Sequence, residues 1–291
     1  MKNINGNYNK LQNSPFLGVN KKHKIMKTTI LLTFGLLISI SSFSQKHKGF
    51  TLVPSGSFNT QAQQKITVED FWMSSEITNK EFREFYNQIK SSPNDSFEWI
   101  DITSIKNEGK SKAKIIKVAY SEIINKLMDE SAWKSVFGDG DYFTNPKYDN
   151  YPVVGVTWDG ARYYCNWRTK EESKKLKGKS NAIQMDYRIP TEFEWEYALT
   201  FNDSKSSVGS KELHQVEKGD KNKLGLLNLN GNVSEWTSSA GSNDNLEYKV
   251  VKGSSWKSDS KGAQRELVLK SKGADSIGFR VVQSGGKNNN D

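Results

Sequence analysis

Cysteine is almost absent from this chain: Cys165 is alone among 291 residues. One thiol makes neither an intramolecular disulfide nor a cysteine-based zinc site, so the fold has to stand on its core, with a bound ion as its one conceivable helper. Histidine is nearly as scarce. There are three, and the two beyond residue 45, His47 and His214, have no motif around them, which leaves no Ser-His-Asp arrangement to argue. Apolar residues make up only 35% of the chain, yet it holds eight Trp, eleven Tyr and fourteen Phe. The core is therefore expected to be aromatic, since each buried ring removes a large apolar area from water. Twenty-two glycines argue for many turns and little long regular structure.

Acidic residues are missing from the first 44 positions, which hold six lysines. Setting that segment aside turns the formal charge of +9 into 36 basic against 33 acidic residues, about +3. The remaining lysines are scattered, apart from a cluster at 170–179 that reads as a solvated helix end. Nucleic acid is not expected as a partner.

Residues 26–45 carry a basic start, an apolar run at Ile30–Ile40 and small residues at Ser42 and Ser44. That is the pattern of a secretory signal peptide over 26–44, and the run falls short of the ~20 residues that span a bilayer. An uncleaved anchor is the alternative. The signal begins at Met26, so residues 1–25 read as a non-native extension from an upstream start codon. No cysteine follows the run, which excludes lipid attachment through an N-terminal Cys. The product is expected to be exported, to the periplasm or the outer-membrane surface.

The domain is expected over 45–283. Phe50–Phe58 reads as strand, Pro-Ser-Gly turn and strand, and Ile66–Met73 as another strand. Thr78 and Glu81 form a capping box, followed by Phe82, Phe85, Tyr86 and Ile89 at helical spacing, so 79–90 is an amphipathic helix. An insertion of about 91–150 contains a strand at Lys114–Tyr120 and a helix near Ser121–Met128, and folds onto the domain. Thr157 caps a helix through about Glu172, with Cys165 as a small core residue. Thr191 and Glu194 repeat the capping box, with Trp195, Ala198 and Leu199 facing inward. Residues 200–222 read as a polar surface loop. Val250–Trp256 and Ile277–Val282 are strands, and 284–291 is a disordered polar tail.

The stretch Asn228–Trp236 reads NLNGNVSEW. Three Asn and a Gly rule out a simple strand, while Val233 and Trp236 call for burial. A tight loop with its oxygens turned inward around something small and positive satisfies both demands.

Four blocks, in order, carry a resemblance. They are Tyr151–Trp167 (YPVVGVTWDGARYYCNW), Arg188–Ala198 (RIPTEFEWEYA), Gly231–Trp236 (GNVSEW), and Lys252–Trp256 with Gly278–Arg280 (KGSSW and GFR). The chain from about Phe50 to Val282 resembles the formylglycine-generating enzyme, or sulfatase-modifying factor, family. The resemblance implies an α+β single domain, a variant of the C-type lectin fold low in regular secondary structure. Within the family, the runs 145–156 and 165–169 look most like the gliding-motility and type IX secretion branch of Bacteroidetes. That branch is tied to the outer membrane as lipoproteins, and this chain departs from it in having no lipid-bearing Cys.

The resemblance also says where chemistry belongs. Family members hold Cu(I) on two cysteines between the last two blocks, a metal that selects soft thiolates. Here that interval, Lys257–Ile277, has no cysteine, so no copper is expected and no catalytic residue is assigned. A second branch uses iron on clustered histidines, and two isolated histidines do not supply that. What the resemblance does imply is one Ca²⁺, held by the side chains of Asn228 and Glu235 and the carbonyls of Gly231 and Val233. A loop held by Asn hydrogen bonds alone is the alternative. The expected function is an exported, non-catalytic structural or binding component of the cell envelope with protein partners. A divergent formylglycine-generating-type oxidoreductase and a lectin-like ligand-binding module stay open as alternatives.

Overall fold

The structure is a computed structural model. It describes residues 49–101, 114–138, 140–176, 186–202, 211–242, 245–258 and 264–284. The expected extension 1–25, the signal peptide 26–44 and the tail beyond Ser284 lie outside the described residues.

Two four-stranded sheets organise the chain. The first joins β1 (Phe50–Val53), β4 (Phe71–Glu76), β12 (Arg280–Ser284) and β7 (Tyr187–Arg188) in the order β1-β4-β12-β7, all antiparallel. The second runs β10-β9-β8-β11, from β8 (Ser234–Ser242), β9 (Asn245–Lys252), β10 (Arg265–Leu269) and β11 (Ile277–Gly278). Its β11 pairs parallel with β8, the other pairs antiparallel. Two hairpins, β2–β3 (Gly56–Asn59, Lys65–Val68) and β5–β6 (Ser96–Asp101, Lys114–Ala119), complete the strands.

Helices form where the sequence caps them. Thr78 accepts from the Glu81 amide while Glu81 returns a bond to the Thr78 amide, opening α1 (Asn79–Ser91). A short α2 (Tyr120–Ile123) follows β6 and passes into a 3₁₀ turn, not the longer helix expected at 121–128. The Thr157 hydroxyl accepts from the Gly160 amide at the start of α3 (Trp158–Leu176). Thr191 and Glu194 box the start of α4 (Glu192–Leu199).

The first sheet carries a core on each face. Phe279 and Val281 enter a large aromatic core with Phe82, Phe85, Tyr164 and Trp236. Val282, Phe71 and Met73 enter a smaller one with Trp195 and Leu229. This is the alternation that a pleated strand imposes. The segment 91–150 contributes Phe97, Tyr120, Leu127, Trp133, Tyr142 and Tyr148 to the large core.

Several boundaries differ from the sequence reading. Ile66–Met73 is two strands, broken at Glu69-Asp70. Ile277–Val282 is also two, and they belong to different sheets, because the chain turns at Phe279 to bury that ring. The polar stretch 200–222 is not all surface: Leu213 and Val216 are buried. Ser284 ends β12.

Candidate functional site

The Asn228–Trp236 loop is a tight buried turn. Asn228 and Asn232 adopt left-handed backbone conformations, φ 59° and 64°, a region that asparagine tolerates better than most residues. Asn228, Gly231, Val233 and Glu235, the four expected calcium ligands, are all buried here.

Both side chains among them are turned onto protein partners. Glu235, 1% exposed, takes a bidentate pair from Arg280, Nε to Oε2 at 2.6 Å and Nη2 to Oε1 at 2.6 Å. The Trp195 indole donates to the same Oε2 at 2.7 Å. Arg280 completes its fork by donating to the carbonyls of Ser74 (3.1 Å) and Leu227 (3.0 Å). Burial opposes the charged guanidinium, but Glu235 outweighs it and holds the Arg280 pKa above its ordinary value.

A second carboxylate closes the network. Glu76, at the end of β4, accepts from the side-chain amides of Asn228 and of Asn232, the latter at 3.0 Å. Asn228 also donates to the Val216 carbonyl at 2.9 Å. Burial drives the Glu76 carboxyl well above the usual carboxylate range; Glu235 adds to the shift, while Arg280 and the two asparagines oppose it. Glu76 and Asn232 escaped the sequence reading. The one available signal was a carboxylate placed at the end of an apolar strand.

The donor set that remains for a cation can be read from this geometry. The Asn228 amide turns its nitrogen to Glu76, and its oxygen lies against Gly219, where a Cβ would stand 1.3 Å away. Glu235 has its charge matched by Arg280. A donor set whose one carboxylate is already neutralised would hold calcium weakly, because calcium affinity follows ligand charge. Among the described residues no group of three or more His, Cys, Asp or Glu is placed to hold a metal.

Sequence matches to the family described as sulfatase-modifying factor enzyme 1-like domain cover residues 38–207 and 200–285. The chain belongs to this family. It is 24% identical to a Bos taurus protein named inactive C-alpha-formylglycine-generating enzyme 2, with 80% of this chain and 84% of that protein covered. Its fold matches two solved structures. One is CarF, with a TM-score of 0.54 at 14% identity over 81% of this chain and 98% of that one. The other is PvdO from Pseudomonas aeruginosa, with 0.52 at 16% over 81% and 94%.

Family membership directs attention to Lys257–Ile277, where the sequence resemblance places the copper-holding cysteines. In this member β10 occupies part of that interval, hydrogen-bonded along β9. The Ser135 hydroxyl and the Lys257 ammonium both bind the Asp275 carboxylate, and the Trp256 indole donates to the Asp275 carbonyl at 3.1 Å. Lys257 also lies 4.9 Å over the Trp256 ring. Cys165 is buried in α3, and burial pushes its thiol up to about 12. A thiol held that far from its thiolate form is a poor nucleophile.

The two arginines in the motif blocks, Arg188 and Arg280, both carry buried or half-buried ion pairs. Arg188 forks onto Glu194 at 2.7 and 2.6 Å. Arg280 goes to Glu235, and Glu196 is taken by the buried Lys252 at 2.6 Å.

Proposed function

We propose that this chain is an exported, non-catalytic member of the family, acting as a structural or binding component of the cell envelope. One observation carries the reading: a site built on two thiolates cannot be assembled from a single cysteine buried in a helix with a raised pKa. The similarity to a protein named as an inactive family member supports it. The signal-like segment 26–44 supports export, and the runs 145–156 and 165–169 support placement near a gliding-motility or type IX secretion assembly. For the fold we propose the C-type lectin variant. The reading is tested by incubating the protein with copper and a cysteine-containing sulfatase peptide. No oxygen uptake and no formylglycine are expected, and either one overturns it. Affinity purification from the native envelope is expected to return a stable protein partner.

We also propose one weakly held Ca²⁺ at Asn228, Gly231, Val233 and Glu235. The burial of all four residues and the left-handed turns at Asn228 and Asn232 support it, since calcium takes hard oxygen ligands, backbone carbonyls among them, from sharply turned loops. Calcium at ~100 times its Kd would add about 2.7 kcal/mol of stability, read as a melting temperature that falls on adding chelator. An unchanged melt favours the alternative, a loop braced by the Glu76 hydrogen bonds alone. Replacing Glu235 is not a clean probe of the ion, because it strands Arg280.

A further inference from the structure

A groove of about 640 Å³ opens between β3, the turn into β4, and α4. Its lining includes no residue of the Asn228 loop or of the Lys257–Ile277 interval. Ile66, Val68, Phe71 and Phe193 line it; Val68 and Phe71 are buried in the smaller core, so Ile66 and Phe193 are its apolar contacts. Phe193 is 36% exposed, and its neighbours on α4 are each committed elsewhere, Glu192 to Arg265 and Glu194 to Arg188. Its ring is the part of that helix face left open.

The rim has a sign. Three carboxylates, Glu69, Asp70 and Glu194, line the groove against one guanidinium, Arg188. Arg188 and Glu194 neutralise each other as a bidentate pair, so Glu69 and Asp70 set the local potential. This negative patch stands on a chain whose residues beyond 44 are basic overall. One wall is also a strand with an edge to spare. β3 belongs to a two-stranded sheet and pairs with β2 alone among the described residues. Unladdered strand edges are natural templates for an added extended segment.

We propose that this groove binds an extended basic segment of a partner protein. Side chains of an extended peptide alternate. Aliphatic residues on one face would pack on Ile66 and Phe193, while arginine or lysine residues on the other face meet Glu69 and Asp70. The proposal holds whether or not the chain is an enzyme.

The experiment uses the whole protein and a fluorescein-labelled peptide alternating arginine with leucine and valine, followed by anisotropy. Binding is expected, weakening as salt rises from about 50 to about 300 mM, as a partly exposed charge contact should. Glu69→Lys with Asp70→Lys is expected to weaken it roughly tenfold, and Phe193→Ala to weaken it further. The neutral pair Glu69→Gln with Asp70→Asn should fall between wild type and the reversal. Because these side chains are exposed, melting temperature serves to confirm that each variant folds. Equal binding of a peptide with glutamate in place of arginine overturns the proposal, as does binding indifferent to all these substitutions. No binding at all also overturns it. Concentration-dependent self-association abolished by Phe193→Ser would assign the groove to a second copy of this chain instead.

Discussion

Arg280 ties β4 to the Asn228–Trp236 loop through a single guanidinium. It reaches Ser74 on β4, Leu227 before the loop and Glu235 within it, at 0% exposure. Removing one partner of such a pair leaves an uncompensated buried charge, at a cost of about 3–5 kcal/mol, whereas replacing both with apolar groups costs far less. Arg280→Met and Glu235→Leu should therefore each lower the urea midpoint steeply, and the double variant should recover much of the loss. Simple additivity of the two would show that they do not form a pair. Glu194 gives the pH counterpart. Burial alone would raise its carboxyl, but the Arg188 fork and the Thr191 bonds outweigh burial and hold it below the usual carboxylate range. A depressed folded-state pKa contributes stability above the unfolded value, near 4.5, that is lost as pH falls through the folded one. Glu194→Gln should thus flatten the loss of stability on acidification below about pH 4.5, measured by urea titrations at several pH values. The sequence showed both arginines only as members of motif blocks, and Glu235 only as an expected calcium ligand. It could not pair them, because Glu235 and Arg280 are 45 positions apart and Asn228 and Glu76 are 152 apart. No local pattern encodes a contact of that span.

Elements were most legible where backbone chemistry is local. The Thr78 and Thr191 capping boxes and the Thr157 cap start α1, α4 and α3 as the residues imply. Strands were less so, since a pleated segment takes its identity from its neighbours. β10 lies in an interval read only for its missing cysteines, and the breaks at Glu69-Asp70 and at Phe279 depend on which core each side chain enters. Gly160 shows how far packing can override propensity. It lies in the first turn of α3, where Ala would ordinarily gain about 0.5–1 kcal/mol over Gly. A Cβ there would stand 2.1 Å from the Leu127 carbonyl oxygen, an atom fixed by its bond from the Thr157 amide. Gly160→Ala should therefore destabilise, by about 1–3 kcal/mol as overpacking does, visible as a lower melting temperature with helix content retained. A neutral or higher melt would mean that the 120s segment can back away from α3.

At the scale of the molecule, the question is whether two cores make two folding units. They share a sheet: adjacent residues of β12, Val281 and Val282, enter opposite cores. Neither core can dissolve without exposing one face of β4 and β12, so loss of either should take the other with it. Met73→Ala tests this from the smaller core. The side chain is fully buried, and its truncation should cost about 2–5 kcal/mol. The larger core carries its own reporter in Cys165, the chain's single thiol, buried in α3 and held protonated. If the cores are one cooperative unit, Met73→Ala shifts the urea midpoint seen by circular dichroism and the midpoint of Cys165 labelling by an aromatic disulfide by the same amount. Cooperative loss of both signals is what two-state unfolding requires. A Cys165 midpoint that stays at the wild-type value while the dichroism splits into two steps would show that the sheet divides the molecule and does not join it.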